Sequence, residues 1–140
     1  MTKDSKHYQE RNILAKTLYY EAGSTCDIQE VLHIGYVIRN RVDGSKWYGK
    51  NYIEVCLKKW QFSCWNGKDL NDIEKINITN RRYKICLMVS EYIMDLPKKE
   101  IPDYMTGVCH YYEPTLVRPD WARKLKRKYP HFELKHLYLK

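Results

Sequence analysis

Glu21 is the residue whose surroundings most readily do chemistry. It stands in the run Leu18-Tyr19-Tyr20-Glu21-Ala22-Gly23, in the last turn of a helical pattern in which Leu14, Leu18 and Ala22 recur every four residues. The backbone dipole is negative at a helix C-terminus, and burial among tyrosines desolvates the charged form; both effects raise a carboxyl pKa. A carboxylic acid kept protonated near neutral pH can hand a proton to a leaving oxygen, as glycoside cleavage requires. The same spacing also fits a plain surface glutamate at a helix end, and spacing alone leaves both readings open. Asp27, Glu30 and Asp43 are the carboxylates that could join Glu21 in a two-carboxylate hydrolysis. Asp27 and Glu30 equally suit the capping of the helix they open, and Asp43 suits a turn.

Other chemistries find less support. The cysteines Cys26, Cys56, Cys64, Cys86 and Cys109 form no CxxC pair, which argues for reduced, buried thiols rather than a zinc ribbon or a redox site. His33 sits on an apolar helical face and reads as a core histidine. His110 and His136 fall on two candidate strands without a third ligand, so no metal and no cofactor is expected. Neither a nucleophile triad nor zinc-ligand spacing appears, which weakens an amidase or peptidase reading. The N-terminal stretch is polar, with no apolar core of a secretory signal, so synthesis in the cytoplasm without such a signal is expected.

The elements that must hold these groups follow from periodicity and caps. The pattern predicts a flexible polar leader over residues 1–10 and a single domain over residues 11–140. Helices are expected over residues 11–22, ended by Gly23-Ser24; from Asp27 to about Val42, with Val31, Ile34, Val37 and Ile38 inward; and over residues 52–60, with Asn51 as cap and Ile53, Cys56, Leu57 and Trp60 inward. A fourth spans residues 80–95 with Ile85, Met88, Val89, Tyr92 and Ile93 inward, stopped by Pro97. Residues 107–112 and 132–138 read as strands that could pair, with a short helix at Pro119-Asp120-Trp121-Ala122 between them. The fold class is therefore mainly α (α+β), a helical domain with a small antiparallel β element near the C-terminus. At 140 residues there is room for one domain, and 44% apolar against 30% charged residues excludes general disorder and a membrane-spanning chain. The formal charge of +8 calls for a polyanionic partner or surface, whether nucleic acid, anionic membrane or cell wall.

Four blocks taken in order narrow the choice. Asn12-Ile13-Leu14-Ala15-Lys16-Thr17-Leu18-Tyr19-Tyr20-Glu21-Ala22 resembles the opening motif of the SleB/CwlJ-type cell-wall hydrolases, in which the glutamate is catalytic. Val37-Ile38-Arg39-Asn40-Arg41-Val42 is similar to that family's Asn-Arg-Val helix end, and Trp60-Gln61-Phe62-Ser63 to its Gln-Phe-Ser cleft segment. His110-Tyr111-Tyr112-Glu113-Pro114, Trp121-Ala122 and His136-x-Tyr138 resemble its C-terminal pieces. Tyr20 stands where the family usually has Gly, adding bulk beside the acid, and Gly23-Ser24 replaces its usual Arg-Gly.

The resemblance implies a lysozyme-like enzyme that cuts the glycan strand of peptidoglycan in the manner of a lytic transglycosylase, with Glu21 as general acid and base. It implies substrate-binding roles for Tyr20, Asn40, Gln61, Phe62, Ser63, Tyr111 and Tyr112. Gln61 and Ser63 would hydrogen-bond N-acetyl groups, and Phe62 and Trp60 would stack on sugar, although a loop packed by its own aromatics fits equally. Tyr111 and Tyr112 point to opposite faces of a strand, so at most one lines a cleft. Asn40 either reaches across the site or caps its own helix. The enzyme would act on the wall after holin-mediated release or from a virion, as in a phage endolysin, with no membrane insertion and a monomer favoured. Two rivals stand beside it. The run Arg123-Lys124-Leu125-Lys126-Arg127-Lys128 allows a basic nucleic-acid-binding module, and the Tyr20 change allows a wall-binding domain without catalysis.

Overall fold

The computed structural model describes residues 3–23, 27–44, 46–58, 62–65, 76, 79–112, 127–128 and 136–140, and among them are four α-helices and a small antiparallel sheet. The helices are α1 (Lys3–Glu21), α2 (Ile28–Asp43), α3 (Tyr52–Leu57) and α4 (Arg81–Asp95). Strands β1 (His110–Tyr112), β2 (Arg127–Lys128) and β3 (Leu137–Leu139) form the sheet in the order β1-β3-β2. Register pairs Tyr111 with Tyr138 and Arg127 with Leu139, both antiparallel.

Local chemistry starts and stops the helices. Asp27 caps α2 by accepting from Gln29 N at 2.9 Å, Asn51 caps α3 through Glu54 N at 2.9 Å, and Asn80 caps α4 through Arg82 N at 2.8 Å. Gly23, with φ 70°, ends α1 in the left-handed conformation that glycine adopts without steric cost. From α4, Arg82 donates to the carbonyls of Tyr19 (3.2 Å) and Gly23, so a cation satisfies the negative end of α1.

Helix α2 is the centre of the domain and packs against α3 and α4. Its buried residues run from Glu30 to Arg41 on nearly every side, including Val31, Ile34, Val37 and Ile38. A helix buried all round must satisfy its polar members internally. His33 does so through Gln29 O and Tyr104 OH, each at 2.6 Å, as a core histidine should. Asn40 Nδ2 donates to Met105 O and Val108 O at 2.8 and 2.9 Å, tying the end of α2 to the segment that leads into β1. Gly35 lets α4 approach: a Cβ there would lie 2.9 Å from Ile93 Cγ1. From α1 come Leu14, Ala15 and Leu18, with Ala22 just past its end, all essentially inaccessible.

Three expectations change. The first helix, expected from residue 11, already starts at Lys3. His7 and Arg11 dock on Glu91 of α4 at 3.3 and 3.2 Å, and Glu10 accepts from Tyr52 N at 3.1 Å. In α4 the inward stripe is Tyr83, Cys86, Val89, Ser90 and Ile93, while Met88 and Tyr92 are exposed. In α3, which ends at Leu57, the buried residues are Tyr52, Val55 and Cys56, with Leu57 exposed. Both faces are set by α1 and α2 rather than by the largest side chains. The four described cysteines are free thiols, and burial pushes the Cys56 thiol up to about 12. No helix among the described residues is long and apolar enough to cross a membrane.

Candidate active site

The end of α1, the end of α2, the loop after α2 and strand β1 converge on one cleft of about 530 Å³. Its lining is Glu21, Arg41, Trp47, Tyr48, Phe62, His110 and Tyr111. Glu21 is the one carboxylate among the described lining residues, and every other lining group is aromatic or basic.

Glu21 reaches this place because Gly23 and Arg82 end α1 at the cleft floor. Tyr111, brought in by β1, donates its hydroxyl to Glu21 Oε1. Burial raises the Glu21 pKa above the usual carboxylate range, and the Tyr111 hydrogen bond and the charges of His136 and Arg41 oppose that rise without cancelling it. Burial and the neighbouring Glu21 charge hold the Tyr111 phenol well above its ordinary value, so Tyr111 remains a donor.

Arg41 backs the cleft. Its Nε and Nη2 donate to Cys109 O at 3.0 and 2.8 Å, and its guanidinium lies 5.4 Å from the Tyr48 ring centre and 5.3 Å from that of Phe62. Phe62 is held there by the 3-10 turn Ser63–Trp65, whose Trp65 Nε1 donates to Thr17 Oγ1 on α1 at 2.8 Å. Behind Tyr111 lies a buried histidine–carboxyl contact. His136 Nδ1 meets Glu30 Oε1, and the His136 ring stands edge-on to Tyr111 with centroids 5.0 Å apart. The carboxylate of Glu30 is thus directed into the core at His136, a partner that its capping-box spacing does not reveal.

Of the residues singled out from sequence, Glu21, Phe62 and Tyr111 meet in the cleft. Tyr112, the next residue on the strand, is not among the lining residues, and neither is Tyr20, which packs edge-on against Tyr19 at 5.3 Å. Asn40 is spent on the two carbonyls before β1, away from the cleft. Ser63 opens the 3-10 turn beside Phe62, while Trp60, Gln61, Trp121 and Cys26 lie outside the described residues, as does most of the 123–128 basic run. Sequence reasoning missed Arg41, Trp47, Tyr48 and His110 as lining groups. Arg41 carries a signal, since it falls three and four residues after Ile38 and Val37 on the buried stripe of α2. Trp47-Tyr48, an aromatic pair in an inter-helix loop, is a weaker one. Among the described residues no cluster of three or more potential ligands could hold a metal ion.

The described residues thus set a carboxyl with a raised pKa in an aromatic, cation-backed cleft of a mainly helical domain, an arrangement that can do acid–base chemistry. The cell wall hydrolase family model matches residues 27–138, and the chain belongs to that family. Membership assigns it a hydrolytic role on the bacterial wall, with peptidoglycan as substrate. The match begins at Asp27, so Glu21 and the helix that carries it precede it. No curated protein and no solved structure matches the chain.

Proposed function

We propose that the protein cleaves the glycan strand of peptidoglycan between the muramic acid and the following glucosamine, with Glu21 as general acid and then base. The observation that carries this reading is the state of Glu21: a carboxyl held above its usual pKa by burial, in a cleft whose other described walls carry no carboxylate. Tyr111 occupies Oε1 as donor, which leaves Oε2 to carry the proton. That proton passes to the glycosidic oxygen as the bond from the anomeric carbon breaks, and the departing sugar leaves as an alcohol. The substrate's own N-acetyl oxygen supports the anomeric centre. The muramic 6-hydroxyl then attacks it and gives its proton to the Glu21 carboxylate, closing a 1,6-anhydro ring without consuming water. A single acid suffices for this sequence, whereas hydrolysis by either standard route uses a second carboxylate about 5–9.5 Å away.

The test is mass spectrometry of fragments released from purified sacculi by wild type and by Glu21→Gln. Products one water lighter than hydrolytic ones, lost in the variant, are expected; general acid–base catalysis is worth about 10²–10⁴-fold. Full-mass reducing ends would replace transglycosylation by hydrolysis. Equal release by both proteins would remove Glu21 from the chemistry.

A further inference from the structure

Trp47 belongs to two concavities at once. On one side it lines the Glu21 cleft; on the other it lines a groove of about 430 Å³ with Lys46, Tyr48, Ile53, Leu57 and Lys58. Each volume falls within the range of about 300–1,000 Å³ typical of small-molecule sites. The indole is 63% exposed, unusual for so large an apolar surface. Lys58 keeps it in one orientation: its Nζ lies 3.8 Å from the ring centre and also donates to the Trp47 carbonyl. Tyr48 meets the same ring edge-on, with centroids 5.0 Å apart. The one carboxylate on the groove wall, Glu54, is engaged with Asn51 Nδ2 at 3.1 Å. The groove therefore offers aromatic and aliphatic surface with two ammonium groups, continuous with the cleft through Trp47 and Tyr48.

Resting on the glycan-cleavage reading, we propose that this groove is a second substrate subsite, which takes an N-acetylated sugar bearing an anionic substituent next to the bond at Glu21. Trp47 packs against the carbon–hydrogen face of the sugar ring. Lys46 and Lys58 receive the carboxylates of the lactyl-linked peptide, which a neutral polymer of N-acetylglucosamine lacks. An extended strand thus runs from the cleft over Trp47 toward α3.

The experiment uses the full chain carrying Glu21→Gln, so that binding is read without cleavage. Isothermal titration calorimetry measures a peptide-bearing tetrasaccharide of the wall glycan and, in parallel, chitotetraose. Trp47→Ala is expected to weaken both ligands by about tenfold, in line with loss of one aromatic packing partner. Lys46→Gln, which leaves the Lys58 support of Trp47 in place, is expected to weaken the anionic ligand by about twofold to fivefold, the scale of one exposed ion pair, and to spare chitotetraose. Trp47→Phe, which keeps an aromatic surface, retains most of the affinity. Unchanged binding in all variants, with the parent still binding, overturns the subsite and leaves the cleavage reading intact. Equal loss of both ligands in the lysine variant overturns the anionic assignment. A parent that binds neither ligand, together with a wild type that releases nothing from sacculi, overturns both.

Discussion

Glu21 and Tyr111 share one hydrogen bond, and its direction determines what each contributes. Tyr111 donates, so it favours the ionised carboxylate and holds down part of the rise that burial produces. Tyr111→Phe keeps the ring against His136 and removes the donor. The Glu21 pKa then climbs further, and the alkaline limb of the pH–rate profile moves to higher pH while kcat falls by about tenfold, the value of one such hydrogen bond. An unmoved limb would show that Tyr111 does not act through Glu21. A second consequence concerns stability. Because the folded pKa lies above the ordinary 4.5, the native preference for the protonated form stabilises fully below that value and is lost as pH rises through the folded pKa. Glu21→Gln, neutral and nearly isosteric, escapes the loss. Its Tm should exceed that of wild type near neutral pH and converge with it well below pH 4.5, as thermal melts at both conditions will establish.

At the level of elements, the site depends on joints between helix ends and the sheet. Asn40 is such a joint, since its amide nitrogen holds both carbonyls of the turn that delivers β1 and hence Tyr111. Asn40→Ala strands two acceptors and should destabilise by about 2 kcal/mol. Asn40→Asp sets oxygen against oxygen and should cost more, with kcat falling in step; equal urea melts for the two variants would count against this account. These joints explain which element faces were legible. The caps Asp27 and Asn51 could be read because each acts within three residues along the chain. The inward face of α4 was legible at Val89 and Ile93 but not beyond them, because it is chosen by where Gly35 admits Ile93, which leaves the larger Met88 and Tyr92 outside. The extra turns of α1 escaped notice for a similar reason: their support is Glu91, about eighty residues away.

For the molecule as a whole, charge and cleft act at different ranges. A formal +8 draws the protein toward an anionic wall, while the chemistry proposed for Glu21 is confined to its cleft. Salt screens the first far more than the second, with a Debye length of about 10 Å at 0.1 M. The KM for intact walls should therefore rise with ionic strength at nearly constant kcat, measured by turbidity of wall suspensions. A fall in kcat at constant KM would locate the salt effect in the cleft instead.

What the sequence determined by itself is local or cumulative: the helices and their caps, the β character near the C-terminus, the net charge, and the order of motifs that marks a cell wall hydrolase. Periodicity and capping depend on residues within about one turn, and motif order survives without coordinates. Only the tertiary structure decided the partners. Glu21 meets Tyr111 across 90 positions and Glu30 meets His136 across 106, and nothing local distinguishes these polar residues from capping or surface groups. Burial of a charged side chain is tolerated only where the fold supplies its complement. That complement comes from whichever element packs alongside, and no spacing along the chain names it.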